Sequence, residues 1–351
     1  MNLAHFKSYT KEDILSLTHI RKFETKLGER VLVAHSPGKL SEVIADIAAK
    51  YIVFGIKEDI GVQANYGKAG ASTSWIPFLQ SFLNIQDNDF LGGDETCVLG
   101  HFDFRDIQNL INANALTNDE KVEAYRHAIN AIDDEVESLV KIIVSSGKIP
   151  IVIGGGHNNA YPMIKGTAKG LYQVEKIPLS QINCINLDAH ADYRPLEGRH
   201  SGNAFRYAEE NGFLKKYFIL GLHENYIQQN VWIDVVNNPF IDCITYEDIF
   251  LHQKRTFIQS VTMAIDFMEE EFCGIELDLD CITGVLSSAE SPCGLSAIHA
   301  RQFINLCAAG TKACYLHICE GAAYIDGKSS DTTGKLISYL VSDFTKMKSA
   351  N

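Results

Sequence analysis

Short apolar runs recur along this chain, each ending in polar or glycine-rich residues and each followed by enough residues for a helix. They fall at Tyr51–Ile56, Ile149–Ile153, Cys184–Leu187, Phe218–Leu222, Gly274–Leu279 and Cys314–Ile318. Strand-length apolar runs separated by helix-length segments make βαβ units, and a parallel sheet built that way is covered on both faces. Between them, the spacing predicts a helix over Leu40–Ala48. A longer one starts at Thr117, where Glu120 completes a capping box, and runs through Val122, Tyr125, Ile129, Ile132, Val136, Leu139 and Ile143 to Gly147. The chain is therefore expected to be an α/β protein, and no repeat, low-complexity tract or linker divides its 351 residues, so one domain is the simplest organisation.

Charge narrows the partners. Lys plus Arg number 31 against 44 Asp plus Glu, which leaves a net charge of −13, and no basic cluster is present to track a phosphate backbone. Nucleic acid is excluded as an expected partner. The first residues lack the apolar core of a signal peptide and no apolar run approaches a bilayer span, so a cytoplasmic protein without a membrane contact is expected. Nine cysteines form no CxxC pair and mostly sit among apolar residues, as expected of reduced, buried thiols.

In a parallel α/β sheet, ligands collect beyond the carboxyl ends of the strands. Three of the runs end in metal-ligand residue types: Gly154-Gly-Gly-His157, Asp188-Ala-His-Ala-Asp192, and Glu276-Leu-Asp-Leu-Asp280. Alternate residues of extended chain share a face, so Asp188, His190 and Asp192 point together, and so do Asp278 and Asp280. With His157 these make four aspartates and two histidines, a carboxylate-rich set without thiolate, suited to Mn²⁺ or a similar ion. Six side chains exceed what one catalytic ion with an open position needs; they fit two ions sharing carboxylates. The polar, Gly-rich stretch from Lys57 to Ser74 has the length and composition of a binding loop.

These three segments, in this order and spacing, resemble the metal-binding signatures of the ureohydrolase (arginase and agmatinase) superfamily from about Tyr51 to Glu320. Within it, Gly55–Ala71 and the HSGNAFR segment from His200 to Arg206 are similar to the formimidoylglutamase family. The resemblance implies a three-layer α/β/α fold with a central, mostly parallel sheet of about eight strands, with residues 1–50 as an N-terminal extension and 57–74 as a substrate loop. It implies two Mn²⁺ per subunit, with His157 and Asp192 on one ion, His190 and Asp280 on the other, and Asp188 and Asp278 on both. It further implies hydrolysis of an amidine or guanidine carbon–nitrogen bond in a small-molecule substrate, and a homo-oligomer such as a trimer or hexamer, to which Met1–Lys39 is expected to contribute. Hydrolysis of N-formimidoyl-L-glutamate to L-glutamate and formamide, a step of histidine degradation, is the expected reaction. An agmatinase, guanidinobutyrase or arginase releasing urea is the alternative, and a non-catalytic metal-binding homologue is a further one.

The expected catalytic residues are Asp192 as proton carrier, Glu320 as holder of the cationic head, and His200 as substitute proton shuttle. Arginases keep a shuttle histidine where this chain has Phe205, and Asn158 replaces the serine that usually follows the motif histidine. The expected substrate-binding residues are Asn203 of the SGN step and Arg206 after it, with Asn65, Lys68 and Lys57 from the long loop, because a dianionic tail calls for cationic and amide donors.

Overall fold

A computed structural model of the chain describes residues 3–34 and 39–349. Nine strands form one sheet: β1 (Phe6–Ser8), β2 (Tyr51–Lys57), β3 (Thr96–Asp103), β4 (Ile149–Ile153), β5 (Ile182–Leu187), β6 (Leu214–Leu222), β7 (Ile241–Thr245), β8 (Phe272–Asp278) and β9 (Lys312–Cys319). Their order is β1-β3-β2-β4-β9-β8-β5-β6-β7. Eight run parallel, and β1 pairs antiparallel on the outer edge of β3.

Side-chain alternation along the strands feeds two cores. Tyr51 and Val53 of β2 enter one, with Ile151 and Ile153 of β4, while Ile52, Phe54 and Ile56 enter the other with Val152. The first core is closed by helices Trp75–Phe82, Phe257–Phe267, Ala297–Gly310 and Thr333–Ser349; the second by Asn118–Ser145 and Ala160–Gln173. Helix, sheet and helix thus form three layers, the α/β/α fold expected from the resemblance. Thr117 caps the long helix through the Glu120 N–H, and Glu120 reaches back to the Thr117 N–H, as the capping box requires.

Several elements depart from expectation. The helix starting at Leu40 ends at Asp46. Strands β1, β3 and β7 have no continuous apolar run to announce them. β3 reads Thr-Cys-Val-Leu-Gly-His-Phe-Asp yet is buried throughout, because both of its faces are covered: Val98 packs into the first core, and Cys97, Leu99 and Phe102 into the second. The stretch 57–74 is not open coil: it holds a helical turn at Ile60–Ala64 and a 3-10 turn at Ala71–Thr73. Ile14, Leu27 and Val31 of the N-terminal region are buried in the first core. Of the Met1–Lys39 segment expected to aid assembly, residues 1, 2 and 35–38 lie outside the described residues. None of the nine cysteines is in a disulfide; seven are buried, Cys243 is half-buried and Cys293 is exposed. No helix among the described residues is long and apolar enough to cross a membrane.

Candidate metal centre and substrate cavity

The three motifs meet at the carboxyl ends of β4, β5 and β8. After β4, Gly154 and Gly155 take φ of 90° and 74°, turning the chain so that His157 opens a short 3-10 helix. A Cβ on Gly155 would lie 2.6 Å from Asn159 Nδ2 and 3.0 Å from Glu58 Oε1. Buried Glu58 explains the crowding: it accepts the N–H groups of Gly61 (2.9 Å) and Gly156 (2.8 Å) and the Asn159 amide (2.8 Å), so it pins this turn to the loop after β2. Arg199 holds the other side, paired with Asp133 at 2.9 and 3.1 Å and donating to the Asn158 carbonyl at 2.8 Å. Neither Glu58 nor Arg199 stands out in the sequence, since each acts through backbone groups.

All six expected ligands come together. His157 Nδ1 lies 2.8 Å from Asp192 Oδ2 and 3.2 Å from both Asp188 Oδ2 and Asp278 Oδ2. His190 Nδ1 lies 3.2 Å from Asp280 Oδ2 and 3.5 Å from Asp188 Oδ1. The donor atoms form two groups, His157–Asp188–Asp192–Asp278 and Asp188–His190–Asp280, that share Asp188. Asp278, expected on both ions, falls in the first group alone; its Oδ1 accepts the Asp280 N–H at 2.8 Å. Asp188 Oδ1 similarly takes the His190 N–H at 2.7 Å, which locks the turn after β5.

Electrostatics show what the cluster lacks. Burial and the Asp188 charge push the Asp192 carboxyl up to about 6; burial, then Asp280 and Asp188, push Asp278 well above the usual carboxylate range. Burial also opposes the charge on Asp188, but the His157 and His190 imidazoles hold it below that range. His157 Nδ1 faces three carboxylates yet makes no hydrogen bond, and buried Asp280 Oδ1 has no partner. One imidazole nitrogen carries at most one proton and cannot serve three acceptors. A pair of borderline-hard cations fits this nitrogen-and-oxygen set and would satisfy these atoms together.

Behind the cluster, Glu276 Oε2 lies 3.5 Å from His157 Nε2 and is itself held by His317 Nδ1 (2.6 Å), while Tyr315 donates to Oε1 (2.8 Å). A carboxylate facing the outer nitrogen of a ligand histidine fixes its ring and tautomer. Phe205, at the arginase shuttle position, stands edge-on to the His157 ring and stacks on Tyr217 at 4.2 Å, so that position is apolar.

A cavity of about 260 Å³ opens above the cluster, lined by Asp192, Asp278, Asp280, Glu320, Asn65 and Arg194 among others. Glu320 accepts the His157 N–H at 2.9 Å, and burial raises its carboxyl to about 8. Asp192 and Glu320 both adopt left-handed backbone, with φ of 44° and 60°.

The other expected residues lie elsewhere. His200 is buried in the loop wall, its Nδ1 accepting the Gly202 N–H (3.1 Å) and its Nε2 3.2 Å from Glu197; it does not line the cavity. Arg206 faces the opposite side of helix Ala204–Glu210, pairing with Asp234 (3.0 Å) and Glu210 (3.2 Å). Asn203 spends its amide on the carbonyls of Pro195 and Gly198. Lys68 is exposed and pairs with Asp326 at 2.9 Å, and Lys57 also lies outside the cavity lining. Of that set only Asn65 reaches the cavity. Arg194, which the sequence does not single out, lines it too, two residues past Asp192.

The comparisons with known proteins agree with this architecture. The chain is 28% identical over 262 residues to the formimidoylglutamase of Streptococcus pyogenes serotype M49, covering 71% of this chain and 68% of that protein. Among solved structures, formimidoylglutamase from Bacillus subtilis superposes with a TM-score of 0.71 at 14% identity over 95% of each chain. Trypanosoma cruzi formiminoglutamase with Mn²⁺ gives a TM-score of 0.66 at 19% identity, covering 93% of this chain and 99% of that one. The Arginase family model matches residues 50–345, which takes in all six candidate ligands and the cavity above them, and the chain belongs to the arginase family.

Proposed function

We propose that this chain is a binuclear manganese hydrolase that converts N-formimidoyl-L-glutamate and water to L-glutamate and formamide. The observation that carries the reading is the pair of donor groups sharing Asp188 on the floor of the cavity; the similarity to formimidoylglutamases supports the substrate. His157, Asp188, Asp192 and Asp278 would hold one ion, and His190, Asp280 and Asp188 the other. Two cations bound there supply the Lewis acidity that makes water a nucleophile at neutral pH.

The chain's own residues do the rest. Glu320, at the cavity floor, accepts the cationic amidinium head and fixes its carbon above the cluster. Asp192 takes the proton released as the carbon–oxygen bond forms and passes it to the substrate nitrogen. That nitrogen then leaves as the amine of glutamate rather than as an amide anion. The same reading takes the protein as a cytoplasmic homo-oligomer, trimer or hexamer.

The test is turnover by the Mn²⁺-loaded protein, measuring glutamate release from N-formimidoyl-L-glutamate, with arginine and agmatine alongside. Glutamate release from the formimino compound supports the reading. Urea from a guanidine compound, with no glutamate released, overturns it.

A further inference from the structure

The turn that carries His157 leans on one buried side chain that also ties several other parts of the chain together. Arg199 is 4% exposed. Its Nε and Nη2 fork onto Asp133, a buried acid of the helix Asn118–Ser145. Nη2 also donates to the Asn158 carbonyl at 2.8 Å, and Nη1 donates to Asn203 Oδ1 at 3.3 Å. The guanidinium carbon lies 4.7 Å from the Tyr161 ring and 5.0 Å from the Tyr207 ring, so helices Ala160–Gln173 and Ala204–Glu210 meet at the same group.

These contacts bear on one side of the metal cluster. Asn158 follows His157, so the bond to its carbonyl fixes the peptide next to the first group's histidine. Asn203 Oδ1 also accepts the His200 N–H at 3.1 Å, which ties the neighbouring turn to the same guanidinium. Among the described residues, none of the hydrogen bonds or ion pairs of Arg199 goes to the segments that carry His190 and Asp280. Those segments are set by their own backbone N–H groups, on Asp188 and Asp278.

We propose that Arg199 is a positioning residue for one of the two metal sites. Through the Asn158 carbonyl it holds His157 in place for the ion shared with Asp188, Asp192 and Asp278, and it leaves the ion at His190 and Asp280 alone. This rests on the binuclear reading above. Only a planar fork can meet two carboxylate oxygens, a carbonyl and an amide oxygen at once; a lysine ammonium has three donors on one atom and cannot span them. Truncating Arg199 by itself would strand the buried Asp133 charge, which loosens a fold for a reason unrelated to the metal. The clean deletion therefore removes both charges together, as Arg199→Met with Asp133→Leu.

The experiment titrates metal-free wild type, Arg199→Lys and the Arg199→Met/Asp133→Leu double variant with Mn²⁺, reading bound metal per chain and the electron paramagnetic resonance spectrum. Two Mn²⁺ ions joined by a carboxylate are spin-coupled, whereas a lone Mn²⁺ shows its own resolved hyperfine lines. In the double variant the affinity for one ion is expected to fall at least ~10-fold, leaving the uncoupled spectrum at Mn²⁺ levels that give the wild type its coupled one. Excess Mn²⁺ should restore the coupling, and Arg199→Lys should fall between. In a His157→Ala background, which removes the ligand Arg199 acts through, the double change should have no further effect on the remaining ion. Two unshifted affinities overturn the assignment. So does equal weakening of both ions, the result of a generally loosened fold, and so does a further loss in the His157→Ala background. If the double variant does not fold, Arg199→Lys decides alone: selective loss of one ion supports the assignment and unshifted affinities overturn it. If the wild type binds no Mn²⁺, the binuclear reading fails, and hydrogen exchange decides on Arg199. Backbone amides of residues 156–160 should then exchange ~10-fold faster in the variants, with those of 188–192 unchanged; equal protection in wild type and variants removes the assignment.

Discussion

The floor and the mouth of the cavity are built by different means. On the floor, each ligand stands at or just past a strand end, and backbone N–H groups of the same turn hold the Asp188 and Asp278 carboxylates. At the mouth, Arg194 is held by the Asn65 side chain from the loop after β2, and by Glu197 and the Gly202 carbonyl of its own loop. The floor is therefore set by the sheet, and a local motif is enough to define it. The mouth is set by loops meeting in space, and its chemistry can be altered while the sheet stays as it is.

Four measurements would break or sharpen that contrast. Asp188→Ala removes the residue common to both donor groups. Metal analysis should show loss of both ions and turnover should drop by at least about a thousandfold, beyond the roughly 10–100-fold typical of outer-sphere changes. Full metal content would show that the floor is not organised around Asp188. Next, Glu276→Gln weakens the contact behind His157; metal affinity measured by competition with a chelator should fall about 10–100-fold, while KM at saturating metal stays at the wild-type value. A raised KM with unchanged metal affinity would tie Glu276 to the mouth instead.

The third concerns the wall. Burial is the main cause that lowers the His200 pKa from 6.5 to about 4, with the nearby Arg194 charge adding to it. Between those values the unfolded chain binds a proton that the folded chain refuses, so stability is lost as pH falls through this window. The full effect is on the order of 3 kcal/mol. Urea unfolding of metal-free protein near pH 7 and near pH 5 should show a steeper loss for the wild type than for His200→Gln; equal slopes would mean that His200 is protonated in the folded wall. The smallest effect is expected at Arg206, whose partners are surface carboxylates. Arg206→Ala should leave KM unchanged and cost at most about 1 kcal/mol of stability, and a large rise in KM would place it in the cavity after all.

The same contrast explains what could be read from the sequence. The candidate ligands of Asp188–Ala–His–Ala–Asp192 and Asp278–Leu–Asp280 do meet, but through turns rather than extended chain: β5 ends at Leu187, Asp192 is left-handed and Asp280 lies in a 3-10 turn, so residue type and place after a strand made the six legible, not the period of two. In sequence, Arg206 stands close to the SGN step. In a helix, however, each residue turns about 100° from the last, so with Phe205 packed inward against His157, Arg206 points away. Arg194, the arginine that does line the cavity, stands two residues past Asp192, where the left-handed backbone of Asp192 turns the chain. Strand β3 was missed because polar Thr96, His101 and Asp103 interrupt its pattern, and its burial comes from neighbours far away in sequence.

One feature of the floor bears on how this protein can change. Asp192 and Glu320 sit at left-handed backbone angles that cost an ordinary residue about 1–2 kcal/mol, and glycine would occupy either position more comfortably. Selection for thermal robustness alone would erode these two carboxylates, whereas selection for turnover would keep them. Their persistence in descendants of this chain would thus be a record of use, and a glycine at either position would mark a lineage in which the scaffold outlived its chemistry.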